Sequence, residues 1–337
     1  MGKHKPSVIS FLLLLGLVAG FASPSRAQAA APGPEQGVHY WESVYGAAIL
    51  PGRCYAVGSK ALLLVSTDNC HTWDRRKLRE QPGSNMFQDL DLYDIRFAPD
   101  GKTVWIAGEE GLVLRSDDGG QTWNRQDSGV TDALFKIAAI DSNKAVISGS
   151  RGTLLWTTDG GQHWQHSKYK DLSFFDVAFA DADNGWAVGE FETVVHTADG
   201  GKTWQVQHEG QIGDFRTGPY FAVAFESPQH GWIVGLSGAL LETNDGGKTW
   251  QSHELPGSRP IYVATLLKEG DSSLWLGGRG GTLIRWAAGE TSRVTSPTAN
   301  DITDIAFAGN LGVAVGLDGT ILCTEHNGKQ WQPVTSR

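Results

Sequence analysis

Nearly the same eight residues recur along this chain, and that repetition constrains its fold more than any other feature. Ser116-Asp117-Asp118-Gly119-Gly120-Gln121-Thr122-Trp123 is the cleanest copy. Thr157 to Trp164, Thr197 to Trp204 and Thr243 to Trp250 follow the same plan, and Ser66 to Trp73 does so with Cys70 in the glycine place. A decayed copy runs from Thr324 to Trp331, with His326 in the aspartate place. The tryptophan spacings are 50, 41, 40 and 46, then 81, which is twice the unit and marks one eroded copy. A repeat of about 40–45 residues made of short strands has the length of one four-stranded propeller blade.

A second marker gives the number of units. Small apolar triplets ending in glycine stand at Ala56-Val57-Gly58, Ile106-Ala107-Gly108, Ile147-Ser148-Gly149 and Ala187-Val188-Gly189, then at Ile233-Val234-Gly235, Leu276-Gly277-Gly278 and Ala314-Val315-Gly316. The fold expected is all-β, a seven-bladed β-propeller of four-stranded antiparallel blades over residues 38–337. Two closures are compatible with the sequence. The inner strand of blade one, near Ala47 to Leu50, begins the ring and Trp331 to Val334 ends it, or His39 to Val44, with Trp41, adds a latching strand.

The first residues belong to a different class of segment. Lys3, His4 and Lys5 precede an apolar run from Val8 to Phe21, and Ala27-Gln28-Ala29 offers small residues for cleavage. The run is shorter than the ~20 residues a membrane span needs. It reads as a signal peptide over 1–29, followed by a linker over 30–37. The expected location is the periplasm, or the thylakoid lumen in a photosynthetic host. A formal net charge of −9, with Lys and Arg scattered, is a poor match for nucleic acid, which selects a basic stripe.

Three cysteines in an exported chain leave one over after a pair forms. Cys54 opens the second strand of blade one and Cys70 lies in the turn between its third and fourth strands. These places share one end of a blade, so a Cys54–Cys70 disulfide is expected, with Cys323 left as a strand residue.

The boxes have a structural chemistry of their own. The aspartates (Asp68, Asp118, Asp159, Asp199, Asp245) accept hydrogen bonds from N–H groups of their own turn, and glycine supplies backbone shapes that side chains resist. The tryptophans (Trp73, Trp123, Trp164, Trp204, Trp250, Trp331) then plug the packing between strands. Function is expected on the opposite, box-free face, where the turns between second and third strands meet the loops entering each inner strand. Those turns carry Lys60, Glu109, Glu110, Arg151, Glu190, Glu192, Arg279 and Asp318. The inner strands open with Tyr93, Phe135, Phe175, Phe221, Tyr262 and Thr303, beside Asp94, Lys136, Asp176 and Asp304. A mouth ringed by aromatics and mixed charges suits a protein or ligand. The partner-binding candidates are Arg151, Arg216, Arg279, Tyr93, Phe135, Tyr220 and Tyr262. The sequence offers no metal-spacing Cys/His cluster, phosphate-cradling glycine loop or nucleophile elbow, so no catalytic residue, metal or cofactor is expected.

The boxes, with Gly185-Trp186-Ala187-Val188-Gly189 ahead of Thr197 to Trp204 and Gly231-Trp232-Ile233-Val234-Gly235 as an echo, carry a resemblance over the whole mature chain. It resembles the photosystem II stability and assembly factor family of seven-bladed propellers. The resemblance implies a non-enzymatic, exported factor that assists assembly of a membrane protein or envelope complex. In photosynthetic relatives that complex is an early photosystem II reaction-centre intermediate. It also implies a positively charged binding patch, for which Arg151, Arg216 and Arg279 are the counterparts here. The alternative is a sialidase-like glycoside hydrolase or glycan-binding propeller, which shares the boxes. The arginine motif of such hydrolases is missing, Arg259-Pro260-Ile261 having the letters in another order.

Overall fold

The computed structural model describes residues 38, 39, 41–78, 89–211, 218–257, 259–268 and 272–334. The expected signal peptide, linker and Arg216 lie outside the described residues. The rest is a seven-bladed propeller, with blades at 44–76, 92–126, 134–168, 174–208, 220–253, 261–293 and 302–333. Every blade is a separate sheet of four consecutive antiparallel strands. Blade two runs Leu92–Phe97, Val104–Gly108, Val113–Ser116 and Asn124–Gln126 from the channel outwards. Its second strand, Val-Trp-Ile-Ala-Gly, is buried throughout, which is why that stretch is continuously apolar rather than alternating.

Blades adhere face to face. Tyr55, Val57 and Leu63 of blade one share a core with Leu92, Ile106, Leu114 and Trp123 of blade two. The box tryptophans therefore wedge between blades, and several meet an aromatic ring on their inner side. Trp164 stands edge-on to Trp105 of the preceding blade at 5.6 Å, and Trp331 edge-on to Trp275 at 6.0 Å.

The same packing closes the ring, with no added strand among the described residues. Val44, Ala47, Ala56 and Leu64 pack on Val313, Val315 and Ile321 of blade seven. The Thr303 hydroxyl donates to the Val44 carbonyl at 2.7 Å. Residues 41–43 form a turn and bend instead of a latch. There the Glu42 carboxylate pairs with Arg75 at 2.5 Å and its carbonyl accepts Gly319 N–H of blade seven at 2.6 Å.

Boxes and the turns between first and second strands share one face, joined by bonds such as Gly119 N–H to Lys102 O at 2.9 Å. In the cleanest box, Asp118 accepts from Gln121 N–H, Thr122 N–H and the Thr122 and Ser116 hydroxyls at 2.7–2.9 Å. Blade six, whose box was lost, turns from Ala287 to Glu290 through Ala288 and Gly289 at φ 53° and 80°. That is the tight two-residue hairpin in which both central residues are left-handed. Blade one keeps the box but puts Cys70 (φ 68°) where blade two has Gly120 (φ 84°). Cys70 is disulfide-bonded to Cys54, and the free, buried Cys323 of blade seven donates its thiol hydrogen to the Cys70 carbonyl at 3.1 Å.

Candidate functional site: the box-free mouth

Each inner strand brings its second residue to the mouth and its third one step deeper. The second residues are Tyr45, Tyr93, Phe135, Phe175, Phe221, Tyr262 and Thr303. The six rings touch in sequence, with centroids 5.4–6.2 Å apart. Leu317 of blade seven packs on this layer near the Thr303 gap. The expectation of a mouth whose ring aromatics meet a partner needs revision, because Tyr93 is 1% exposed and Phe135 5%. The rings bury one another, so they form a collar that constricts the mouth. Tyr220, expected in this ring, lies one residue too early. It packs with Trp186 and Val188 in the core between blades four and five, and Phe221 takes the ring place.

Beneath the collar the third residues are Gly46, Asp94, Lys136, Asp176, Ala222, Val263 and Asp304. Arg96, two residues after Asp94, crosses in front of blade one to reach Asp304 of blade seven at 3.0 Å, and also meets Asp94 at 3.2 Å. Lys136 lies 3.3 Å from both carboxylates. The bridge passes blade one because Gly46 has no side chain, and a Cβ there would stand 2.9 Å from the Asp94 backbone. Each carboxylate also staples two blades by accepting a backbone N–H at 2.9 Å: Asp94 from Ile137, Asp176 from Val223 and Asp304 from Ala47.

Two cations thus face three carboxylates. Burial alone would raise Asp304, but Arg96 and Lys136 hold it below the ordinary carboxylate value. Asp176 is pushed up to about 7 by burial, against the pull of Lys136, the Val223 N–H and Arg96. Asp94 adds to the rise. With the positive charges matched by Asp94 and Asp304, the third carboxyl keeps its proton near neutrality.

Around the collar stand the tips of the seven turns. Their first central residues are Lys60, Glu110, Arg151, Phe191, Ser237, Gly280 and Asp318, all left-handed with φ between 50° and 65°. Six of these are not glycine, and Phe191 is a bulky side chain where such backbone is uncommon. The acidic turns are less acidic towards solvent than they read. Glu109 caps Asp91 N–H at 2.9 Å and accepts from the Tyr93 hydroxyl at 3.2 Å, and Glu190 caps Ser173 N–H at 2.9 Å. Burial raises both carboxyls.

Arg151 and Arg279 do not form one patch. Arg151 projects from blade three, 68% exposed, 3.6 Å from Asp132 and Asp171. Arg279 belongs to blade six, as far round a seven-membered ring as blade three allows. It lies with Arg259, Pro260 and Asp301 beside a shallow hollow of about 530 Å³. Residues missed in the sequence reading are Arg96 and Tyr45, and Trp41 was named there only for the latch. Aligning the inner strands finds the first two, since Arg96 stands where the other blades have Ala48, Ala138, Ala178, Ala224, Thr265 and Ala306. Trp41 stacks on His39 at 4.3 Å and is 57% exposed.

Comparison with known proteins adds the lineage. Over 97 residues the chain is 32% identical to the photosystem II assembly lipoprotein Ycf48 of Synechococcus sp. (strain CC9902), a match spanning 28% of this chain and 27% of that relative. Among solved structures, YCF48 from Cyanidioschyzon merolae superposes with a TM-score of 0.69 at 19% identity, covering 84% of this chain and 96% of that one. A YCF48 bound to a D1 peptide gives 0.68 at 20% identity, over 88% and 98%. An ancestral GH74 enzyme gives 0.71 at 13% identity, over 92% of this chain and 48% of its own, so the likeness is one of fold. A family model described as photosynthesis system II assembly factor YCF48 matches residues 46–167, 126–206, 168–216 and 214–289, which together exceed half the sequence. The chain belongs to that Ycf48 assembly-factor family.

Proposed function

We propose that this chain is an exported, non-catalytic assembly factor whose box-free face receives a segment of a membrane protein. The observation that carries the reading is the mouth itself. A self-packed aromatic collar constricts the mouth, and left-handed turns present Lys60, Arg151 and Phe191 around it. Such a face is a preformed platform, and preformed platforms bind segments at low ordering cost. Family membership and the YCF48 neighbour that holds a D1 peptide point the same way. The described residues include no helix long and apolar enough to cross a membrane, which fits a factor that visits its client.

Glycoside hydrolysis needs two carboxyl groups open to a sugar. Asp94 and Asp304 have no exposed surface and are committed to ion pairs and backbone N–H groups. That favours docking over hydrolysis.

The test is a crosslinking capture from host membranes with the tagged mature protein. Arg151→Glu combined with Arg279→Glu should reduce capture of a membrane protein at least fivefold without moving the melting temperature. Unchanged capture removes the arginines from the reading. Capture of glycans with no membrane protein returns weight to a sugar-binding propeller.

A further inference from the structure

We propose that the seam between blades one and two is a second binding site, on the outer side of the ring, for a short acidic peptide segment. The argument begins with what fills the other seams. At the register of Trp105 the third strands carry Arg115 in blade two, Trp156 in three, His196 in four, Glu242 in five and Arg285 in six, whereas blade seven, like blade one, has a small residue there, Cys323. In blade two, Arg115 lies over the Trp105 ring at 5.0 Å and donates to the Gly160 carbonyl in the next blade's box. In blade four, Trp186 and Gln207 donate to the Gly246 carbonyl at 3.2 and 2.9 Å. Large side chains thus close the seams after blades two and four against the following box.

Blade one has Val65 at that register, opposite Tyr55. The Tyr55 hydroxyl takes over the bond to the box carbonyl, that of Gly119, but Val65 leaves the space beyond it empty. The result is an open groove of about 740 Å³ bounded by Tyr55, Val65 and the blade-two box with Trp123. That volume lies within the range of ligand sites.

The chemistry of the walls selects the occupant. Arg53, Arg76 and Lys77 line the groove, and among the described residues no carboxylate does. On a chain of net charge −9 this is a local reversal of sign. Among the described residues Arg76 has one loose ion pair, with Asp74 at 3.5 Å, both side chains being more than half exposed, so an incoming carboxylate can exchange with it. Neither Arg53 nor Lys77 is engaged by a carboxylate among the described residues. Three cations along an open trough match carboxylates spaced along a chain, while Tyr55 and Trp123 give apolar walls for its stem atoms. A trough open along its length favours an extended peptide over an enclosed small molecule. Its place on the box side and outer rim makes it separate from the collar.

A labelled acetyl-hexaglutamate peptide titrated into the mature protein and followed by fluorescence anisotropy tests the site, with hexaglutamine as the neutral control. The glutamate peptide should bind, more weakly as salt rises, and the glutamine peptide at least tenfold more weakly. Arg53→Gln with Lys77→Gln should weaken glutamate binding at least tenfold. Val65→Arg, which copies the plug of blade two, should do the same, with melting temperature recorded to establish folding. If Val65→Arg does not fold, the glutamine double variant decides alone, since its residues are exposed. Arg151→Glu should leave binding unchanged. Equal binding of the two peptides, no loss in the double variant, or an equal loss in Arg151→Glu overturns the proposal.

Discussion

Asp118 in a box and Asp176 in the channel both accept a backbone N–H at 2.9 Å, yet their acidities part widely. Bonds from Thr122 prevail over a partial burial that would raise Asp118, and hold it at about 2. The Thr72, His163 and Thr249 bonds take Asp68, Asp159 and Asp245 to the same range. Asp176 goes the other way, to about 7, because burial outweighs its single interblade bond and the shared cations. One end of the propeller fastens each turn from within itself. The other fastens blade to blade through charges that must balance across the channel. Damage at the first should remain in one seam, and damage at the second should spread around the ring.

The largest test of the box end is Trp123→Ala. Trp123 is 9% exposed and shared between blades one and two, so its truncation should cost about 3–5 kcal/mol in a denaturant titration. A loss under about 1 kcal/mol would show the seam held by something else. Next is the divergent box. The Cys54–Cys70 bond spans 16 residues, so Cys54→Ser with Cys70→Ser should lower stability by about 3 kcal/mol. Replacing Cys70 by Gly instead of Ser, with Cys54→Ala, should recover about 1 kcal/mol, since Cys70 occupies the left-handed place of a box glycine. No recovery would mean that the bond braces more than the turn.

Asp118→Ala comes third, at about 1 kcal/mol, since water replaces part of what the carboxylate accepts in its half-exposed turn. The sign with pH follows from the lowered acidity. The box contribution is fully present above about pH 4 and is lost as pH falls towards about 2. The variant should therefore lose less stability than the parent over that window, and equal acid slopes would remove the box from the account.

The two ends were unequally legible in the sequence. The box end was readable because its bonds are local: Ser116, Asp118, Thr122 and Trp123 act within eight residues, so spacing alone reveals them. The blade count followed from triplets whose burial leaves room only for small apolar residues. The mouth was partly readable, since the ring aromatics open each inner strand, but their mutual burial depends on a ring diameter that no local pattern encodes. Arg96 was invisible because its partner Asp304 is 208 residues away, and only the closed ring joins them. The dispersal of Arg151 and Arg279 has the same origin, since charge type is written in the sequence and blade angle is not. The open seam at Val65 needed the register of the blades before the small residue there, a feature shared with Cys323 of blade seven, could be noticed.

Asp176→Asn is the finest test of the comparison. With Arg96 and Lys136 matched by Asp94 and Asp304, the protonated Asp176 is the form the channel prefers, and an asparagine has nearly its shape. It also retains an oxygen for the Val223 N–H. A carboxyl whose folded value is raised binds more protons in the native than in the unfolded state, so its share of stability declines as pH rises from about 4 through about 7. The parent should therefore lose stability between pH 5 and 8, and the variant should lose less. At pH 8 the variant should be the more stable of the two, by on the order of 1 kcal/mol, or about 2–4 °C in melting temperature. At pH 5 the two should coincide. A variant less stable than the parent at pH 8 would mean that the ionised Asp176 is a needed partner of Lys136 and Arg96 instead of an excess charge. The channel would then fasten its carboxylates as firmly as the boxes do, and the contrast between the two ends would be lost.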